Sequence, residues 1–345
     1  MPSTGSHPLS GTINRRDFLK LGGFSLAGLL VPPVRPARIS PELSGRVLEG
    51  HIWLYDTPSY EGKKVKVYWK DTVLPISAAT IGDGKPAYNR TWYRIGEEGY
   101  THSSVIQPVR TIVNEPVADI PEGGRLAEVT VPYTDAHWGP GKESEVGYRY
   151  YYETTYWVID MVRDSQGEAW YCTLEDKWQF KLYAPAAHMR LIPPEELSPL
   201  SPELPMQDKR LEVRTEDQIV IAYERNRPIF MSRCSTGAKF RDGNYETQPG
   251  RYITFHKRPT RHMAAGDLEA NGYDLPGVPW VTYITEEGVS FHGTYWHNDF
   301  GHKRSHGCIN MPIKAARWLF RWTIPYVPSG EEKVYEDYGT PVDIV

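Results

Sequence analysis

Cysteine and phenylalanine are scarce in this chain, and there is no excess of positive charge, with 39 lysines and arginines against 43 aspartates and glutamates. Three cysteines among 345 residues is an odd number, which excludes complete pairing within the chain and leaves a free thiol or an intermolecular bond. A formal net charge of −4 gives the chain no overall positive electrostatic potential of the kind that attracts nucleic acid. Nine phenylalanines stand against 23 tyrosines, and 29 prolines with 30 glycines predict short strands joined by turns, hence a mainly β protein.

Long hydrophobic runs are also missing. The longest apolar stretch near the N-terminus, Leu21 to Val31, falls short of the about 20 residues that a membrane span requires. It follows Asn14 to Lys20, a segment close to the twin-arginine export signal R-R-x-F-L-K. We therefore predict that residues 1–40 direct export by the twin-arginine route to the cell envelope. Cleavage near Ala37 to Ser40 and retention as an uncleaved membrane anchor both remain open.

Three further segments precede the C-terminal part of the chain. Residues 45–110 alternate as short strands, and the order W-Y-R-I…G-Y-x-H-S resembles bacterial SH3-like domains. Residues 125–192 resemble a second, weaker SH3-like β unit. Such modules bind wall peptides or only position an enzyme, and the sequence does not separate these roles. Residues 193–206 are proline-rich and predict a linker, either extended or packed along a domain surface.

The chemistry concentrates in two short motifs, Phe291-His292-Gly293-Thr294 and Ser305-His306-Gly307-Cys308-Ile309-Asn310. An imidazole that takes the proton of a cysteine produces a thiolate, the nucleophilic form of the side chain. His292 and His306 are the candidate partners of Cys308. If the second motif is extended, His306 and Cys308 share a face, and the backbone N–H of Gly307 is a candidate oxyanion donor.

Two alternatives concern the same residues. His292, His297, His302 and His306 with Cys308 could ligate zinc, but the paired ligand spacings of zinc sites are incomplete, so we predict neither a metal nor a cofactor. His297 and His302 are then exposed loop histidines or residues of the site rim. Cys172 and Cys234 either pair or, as we expect, remain two buried free thiols.

The pattern HGT…SHGCIN resembles the signature of L,D-transpeptidases, the YkuD-type catalytic domain of bacterial cell-wall enzymes. Thr247 to Tyr252 resembles the family's T-P-x-G-x-F turn with one residue shifted. The resemblance implies a β-sandwich catalytic domain with a short helix over residues 207–345, the helix following Pro312. Many members carry arginine where this chain has Asn310.

The resemblance also implies roles for individual residues. Cys308 would be the nucleophile, His292 the general base and acid, and the carbonyl of Gly293 the group that orients the imidazole. His306 would lie beside the thiolate. The segment from Phe255 to Pro279 would form an irregular lid. The substrate contacts implied or expected near the site are Ser305, Asn310, Arg304, Met263, Tyr273 and Trp280, with Lys303 as a further cation for substrate carboxylates.

The function that the resemblance implies is formation of 3→3 cross-links between peptidoglycan stem peptides through a cysteine acyl-enzyme, with release of D-alanine. The partners are therefore a donor tetrapeptide stem and an acceptor stem. A hydrolase of the same fold, an L,D-carboxypeptidase or endopeptidase, would differ in using water to resolve the acyl-enzyme. A non-catalytic wall-binding protein is the third reading, and the presence of His292, His306 and Cys308 weighs against it.

Overall fold

A computed structural model describes residues 43–82, 84–266 and 272–345 of the chain. The predicted export segment, residues 1–40, lies outside the described residues. None of the helices in the described part is both long and apolar enough to cross a membrane. The described chain is mainly β with one α-helix, which confirms the predicted fold class.

The first sheet has seven strands, all paired antiparallel. They are β1 (Ser44–Val47), β2 (His51–Tyr55), β3 (Lys64–Trp69), β4 (Val73–Ile81), β5 (Thr91–Ile95), β6 (Gly99–His102) and β7 (Ile106–Val109). Their spatial order is β3-β2-β6-β5-β4-β1-β7. In β4, alternate residues Leu74, Ile76 and Ala78 are buried, the period of a strand with one face on a core.

The second sheet also has seven antiparallel strands. They are β8 (Arg125–Val129), β9 (Tyr133–His137), β10 (Val146–Tyr151), β11 (Thr155–Arg163), β12 (Ala169–Leu174), β13 (Lys181–Pro185) and β14 (Met189–Leu191). Their order, β10-β9-β13-β12-β11-β8-β14, repeats that of the first sheet strand for strand. In both sheets a short 3-10 turn precedes the last strand, at Ser103–Val105 and Ala186–His188. The two units share one topology, and their assignment to the SH3-like class stays a prediction.

Two five-stranded sheets and a small hairpin form the C-terminal part. Its strands are β15 (Lys209–Arg214), β16 (Ile219–Glu224), β17 (Arg227–Arg233), β18 (Lys239–Phe240), β19 (Gly243–Asn244), β20 (Gly250–Ile253), β21 (His256–Ala265), β22 (Tyr273–Tyr283), β23 (Ser290–Gly293), β24 (Ile309–Met311), β25 (Val334–Tyr335) and β26 (Pro341–Ile344). The sheet orders are β17-β16-β15-β26-β20 and β24-β23-β22-β21-β25. Strands β18 and β19 pair only with each other.

One helix, α1 (Ile313–Trp322), follows β24 and packs against β22 and β23. Ile313, Ala316, Leu319 and Phe320 are buried at helical spacing, so one apolar stripe faces the sheet. The core that includes this stripe also contains Leu126 and Trp157 from the second sheet. The C-terminal part and the second sheet are therefore joined by a shared hydrophobic core.

The proline-rich segment 193–206 packs along the helix, which is the second of the two arrangements considered for it. The Arg321 guanidinium donates to the carbonyl of Ser198 at 2.8 Å, and the amide of Leu200 donates to the carbonyl of Arg321 at 3.0 Å. Leu204 is buried. These contacts hold the segment against the protein surface. An extended linker would instead lie in solvent.

Two buried lysines satisfy backbone carbonyls at the end of α1, where the last turn lacks intrahelical partners. Lys257 is fully buried, and its Nζ donates to the carbonyls of Phe320, of Thr323 at 2.9 Å and of Pro325 at 2.7 Å. Lys209 Nζ donates to the carbonyl of Trp322 at 2.9 Å. The helix end is thus anchored to β15 and β21.

We expect Lys257→Met to lower the free energy of unfolding by about 2–4 kcal/mol, because buried carbonyls lose their donor. Urea denaturation followed by circular dichroism measures this loss. Lys314→Met is the matched control, since Lys314 lies on the exposed side of the same helix. Equal losses in the two variants would contradict a stabilising role for Lys257.

Candidate active site

Two parallel strands form the centre of the site. In β23 and β24, Phe291 lies opposite Ile309 and His292 lies opposite Asn310. Side chains alternate along a strand, so Ser290 and His292 point to the same face of the sheet. Cys308 directly precedes β24, and its Sγ lies 3.7 Å from Ser290 Oγ. The register therefore brings a thiol and an imidazole to one face of the sheet.

Cys308 is a partly exposed free thiol at this face. Its Sγ also lies 3.6 Å from the carbonyl of Gly288. Burial of the sulfur raises the pKa of the Cys308 thiol, and hydrogen bonds from Ser290 offset only part of that rise. The resting side chain is therefore a thiol at neutral pH, and its proton must leave during the reaction.

His292 is 2% exposed. Burial lowers the pKa of His292 to about 4, and a hydrogen bond to the backbone of Gly293 opposes this shift. Nδ1 lies 3.2 Å from the Gly293 carbonyl, which can only accept, so Nδ1 carries the proton. Nε2 is then the basic nitrogen. The Gly293 contact is the one that the family resemblance implies.

A cavity of about 280 Å³ opens onto these residues. It is lined by Met263, Gly272, Tyr273, Leu275, His292, Trp296, His297, Arg304, Ser305, His306, Cys308 and Asn310. The expected substrate contacts Met263, Tyr273, Arg304, Ser305 and Asn310 are thus brought together with His292 and Cys308. Among the described residues, no group of three or more histidine, cysteine, aspartate or glutamate side chains is arranged to hold a metal ion.

The expected irregular lid is a long antiparallel hairpin. Strands β21 and β22 pair from His256 opposite Tyr283 to Ala265 opposite Tyr273. Glycines and prolines in this stretch suggested a loop, but the hydrogen-bond ladder to a neighbouring strand overrides that local preference. Residues 267–271, between the two strands, lie outside the described residues.

Trp280, an expected substrate contact, lies elsewhere. It is 1% exposed, its ring is 5.5 Å from the ring of Phe320 on α1, and the Arg317 guanidinium lies over it at 5.1 Å. It packs against the helix and is not among the residues that line the cavity. The structure places Trp280 in the core, and we withdraw it from the substrate contacts.

Residues 306–308 form a bend, so the condition under which His306 and Cys308 would share a face, an extended backbone, is not met. His306 is exposed, and its ring stacks on Phe240 at 4.8 Å and meets Tyr245 edge-on at 4.7 Å. Gly307 has a φ of +112°, a value that favours glycine. The Gly307 N–H, the expected oxyanion donor, donates to Ser305 Oγ at 3.2 Å.

The two expected cations are already paired. Arg304 Nη1 lies 3.1 Å from Asp299 Oδ2, and Lys303 Nζ lies 2.8 Å from Glu216 Oε1. Arg304 lines the cavity, whereas Lys303 does not. A substrate carboxylate would have to compete with Asp299 for Arg304.

Residues 208–344 match the model of the L,D-transpeptidase catalytic domain, YkuD. The match covers the strands that carry His292 and Cys308 and leaves both seven-stranded units outside it. No curated protein matches the chain.

The chain is also similar to solved structures of L,D-transpeptidases. One is a mutant of the Enterococcus faecium enzyme, at 22% identity over 40% of this chain and 50% of that chain, with a TM-score of 0.31. Another is the catalytic domain of the E. faecium L,D-transpeptidase, at 23% identity over 41% of this chain and 98% of that chain, also with a TM-score of 0.31. L,D-transpeptidase 3 from Mycobacterium tuberculosis, in complex with a faropenem-derived adduct, is 16% identical over 53% of this chain and 80% of that chain, with a TM-score of 0.31. This chain spans half the length of the first of these.

The structure adds detail at the candidate site that the sequence analysis did not give. Ser290 precedes His292 by two positions, and strand alternation would have indicated it. Of the two alternatives for His297, an exposed loop residue or a residue of the site rim, the second fits: His297 lines the cavity, is 3% exposed, and its Nε2 lies 2.8 Å from Nδ2 of Asn310. Burial lowers the pKa of His297 well below its usual value. Nothing in the aperiodic loop sequence marks His297 or Trp296 as inward-facing.

The loop from β23 to the Cys308 motif is held by the first seven-stranded unit. Asn298 Nδ2 donates to the carbonyls of Ser103 and Ile106, both at 3.0 Å. The Arg46 guanidinium donates to the carbonyl of Tyr295 at 2.7 Å. The candidate site is therefore positioned partly by residues outside the segment 208–344.

We expect Cys308 to be alkylated by iodoacetamide slowly at pH 7, with the rate still rising above pH 9, because its pKa is raised above the ordinary value of 9.0. Mass spectrometry of the modified peptide measures the rate at each pH. The same cysteine in urea-unfolded protein is the control and should follow an ordinary thiol titration. Rapid, pH-independent alkylation of the folded protein between pH 6 and 8 would instead indicate a resting thiolate.

Proposed function

We propose that this protein is a cell-envelope L,D-transpeptidase that forms 3→3 cross-links between peptidoglycan stem peptides. The observation that carries the proposal is the pairing of β23 with β24, which sets Cys308 and His292 in one cavity. The match of residues 208–344 to the L,D-transpeptidase catalytic domain supports the same chemistry. The N-terminal twin-arginine motif supports export.

In the proposed reaction, the Cys308 sulfur attacks the carbonyl carbon of the diamino-acid residue in the donor stem. His292 Nε2 takes the thiol proton during the attack and returns it to the leaving amine of D-alanine. A side-chain amine of the acceptor stem then attacks the thioester and loses its proton to His292. That proton returns to the sulfur as the new amide forms, which restores the resting thiol and imidazole.

The neutral resting pair suits this sequence of steps. A pKa of about 4 keeps His292 unprotonated and able to accept a proton at neutral pH. Ser290 Oγ, at 3.7 Å from the sulfur, stabilises negative charge as it develops there. Use of the Gly307 N–H for the oxyanion requires the Ser305 hydroxyl to give way, since it now accepts that hydrogen bond.

We expect Cys308→Ala to abolish product formation from a disaccharide-tetrapeptide, and His292→Ala to lower kcat/KM by about 10²–10⁴-fold through loss of the general base. Mass spectrometry of the products measures both, and cross-linked dimers identify transpeptidation. Cys172→Ala, which removes a buried thiol of the second sheet, is the control and should retain activity. Tripeptide as the sole product would favour the hydrolase alternative. Full activity in Cys308→Ala would show that Cys308 is not the nucleophile.

We expect the acidic limb of kcat/KM to lie near pH 4, because the base must be neutral and the pKa of His292 is lowered to about 4. Initial rates between pH 3.5 and 8 measure this limb. Circular dichroism at each pH is the control, because a histidine with a lowered pKa in the folded state also removes stability as pH falls below about 6.5. An inflection near pH 6.5 in folded protein would show that an ordinary, exposed imidazole is the base.

A further inference from the structure

A second cavity, of about 240 Å³, lies where the two seven-stranded units meet the YkuD domain. We call it the junction cavity. It shares Leu275 and Trp296 with the catalytic cavity, so the two cavities adjoin. The first unit contributes Lys70, and the second contributes Arg149. A ligand that extends from the catalytic cavity past Trp296 would therefore contact both accessory units.

Most charges around the junction cavity already have partners. The Arg46 guanidinium donates to Asp71 Oδ1 at 2.7 Å and is 1% exposed. Arg149 lies 2.7 Å from Asp135 Oδ1. Asp274, the carboxylate in the cavity lining, accepts from the hydroxyl of Tyr148 at 3.1 Å and contacts the His262 ring. These pairs make the walls rigid and nearly neutral.

Lys70 is the exception among the cations of this lining. Its side chain is exposed, and its ammonium has no hydrogen-bond or ion-pair partner among the described residues. Arg304, the cation of the catalytic cavity, is by contrast held by Asp299 at 3.1 Å. An anionic group that enters these adjoining cavities therefore gains more at Lys70, where it displaces no existing carboxylate.

The remaining wall is aromatic. Tyr148, Tyr151, Tyr295 and Trp296 line the junction cavity, and Tyr151 stacks on Tyr295 with ring centroids 5.1 Å apart. Flat aromatic faces with polar edges pack against peptide and sugar groups without demanding a particular sequence. An aromatic wall beside one unpaired ammonium is suited to a polar chain that ends in, or carries, a carboxylate.

We propose that the junction cavity is a substrate subsite that binds a carboxylate-bearing segment of a peptidoglycan stem peptide through Lys70. This inference rests on the proposed function, since it takes its ligand from the same substrate. It assigns the accessory units a direct role in binding, because the subsite exists only where they meet the YkuD domain.

The test measures equilibrium binding of a disaccharide-tetrapeptide to the full chain carrying Cys308→Ala, by isothermal titration calorimetry. We expect Lys70→Ala in this background to weaken binding roughly three- to tenfold, measured as a rise in Kd, through loss of one ion pair with the ligand carboxylate. Lys63→Ala is the matched control, because Lys63 is also an exposed lysine of the first unit but lies outside both cavities. It should leave Kd unchanged.

The same ligand with its carboxyl groups converted to amides provides the second arm. In the Cys308→Ala protein that keeps Lys70, the amidated ligand should bind more weakly than the carboxylate ligand. The ratio of the two Kd values should be similar to the effect of Lys70→Ala. The protein that also carries Lys70→Ala should bind the two ligands with the same Kd. Equal Kd values for Lys70→Ala and Lys63→Ala, or no effect of amidation, would overturn the subsite.

Product formation by the protein with Cys308 intact is scored separately. If cross-linked product forms but binding does not depend on Lys70, the subsite is wrong and the proposed function stands. If binding depends on Lys70 and on the carboxylate while Cys308 forms no acyl-enzyme, the proposed reaction is wrong and the subsite stands.

Discussion

The parallel pairing of β23 with β24 is the constraint on which the candidate site depends. Parallel strands cannot be joined by a tight turn, so the chain must leave β23, cross over and return in the same direction. The crossover loop therefore lies over the end of the strands, and its residues Trp296 and His297 become part of the cavity. A slip of one residue in this register would turn His292 away from the face that holds Cys308.

Burial sets the protonation states at this face. An apolar surrounding disfavours both a thiolate and an imidazolium, and it moves the pKa of Cys308 upward and that of His292 downward. The two shifts keep the resting pair neutral and leave proton transfer to the moment of attack. The Gly293 carbonyl selects the tautomer in which Nε2 is the base. Solvent exclusion and one backbone contact thus determine how the two side chains can react.

The accessory units take part in the site as well as preceding it in sequence. The first unit binds the crossover loop through Asn298, and Tyr88 of that unit donates to Asp299 at 2.8 Å. The second unit shares its hydrophobic core with the C-terminal part of the chain and places Glu175 2.8 Å from His262 on β21. Arg304 is held by the same Asp299 that Tyr88 contacts. The loop that carries Arg304 is therefore held partly by contacts from outside the C-terminal part of the chain.

Local patterns were sufficient for some features of this protein. The mainly β class, the helix after Pro312 and the association of His292 with the cysteine motif follow from composition, periodicity and two short motifs. All of these can be recognised without knowing which distant segments pack together. Other features depend on residues far apart in sequence. Trp280 faces the core, the stretch from Phe255 to Pro279 forms a hairpin, and His297 is buried because of strands and helices that pack against them. Lys303 is likewise paired with Glu216, and Arg304 lies 3.5 Å from Glu49, and only folding brings these two carboxylates near. Side-chain identity fixed which chemistry is available, while the packing of distant segments decided which groups face the cavity, because burial and charge pairing are properties of neighbours in space.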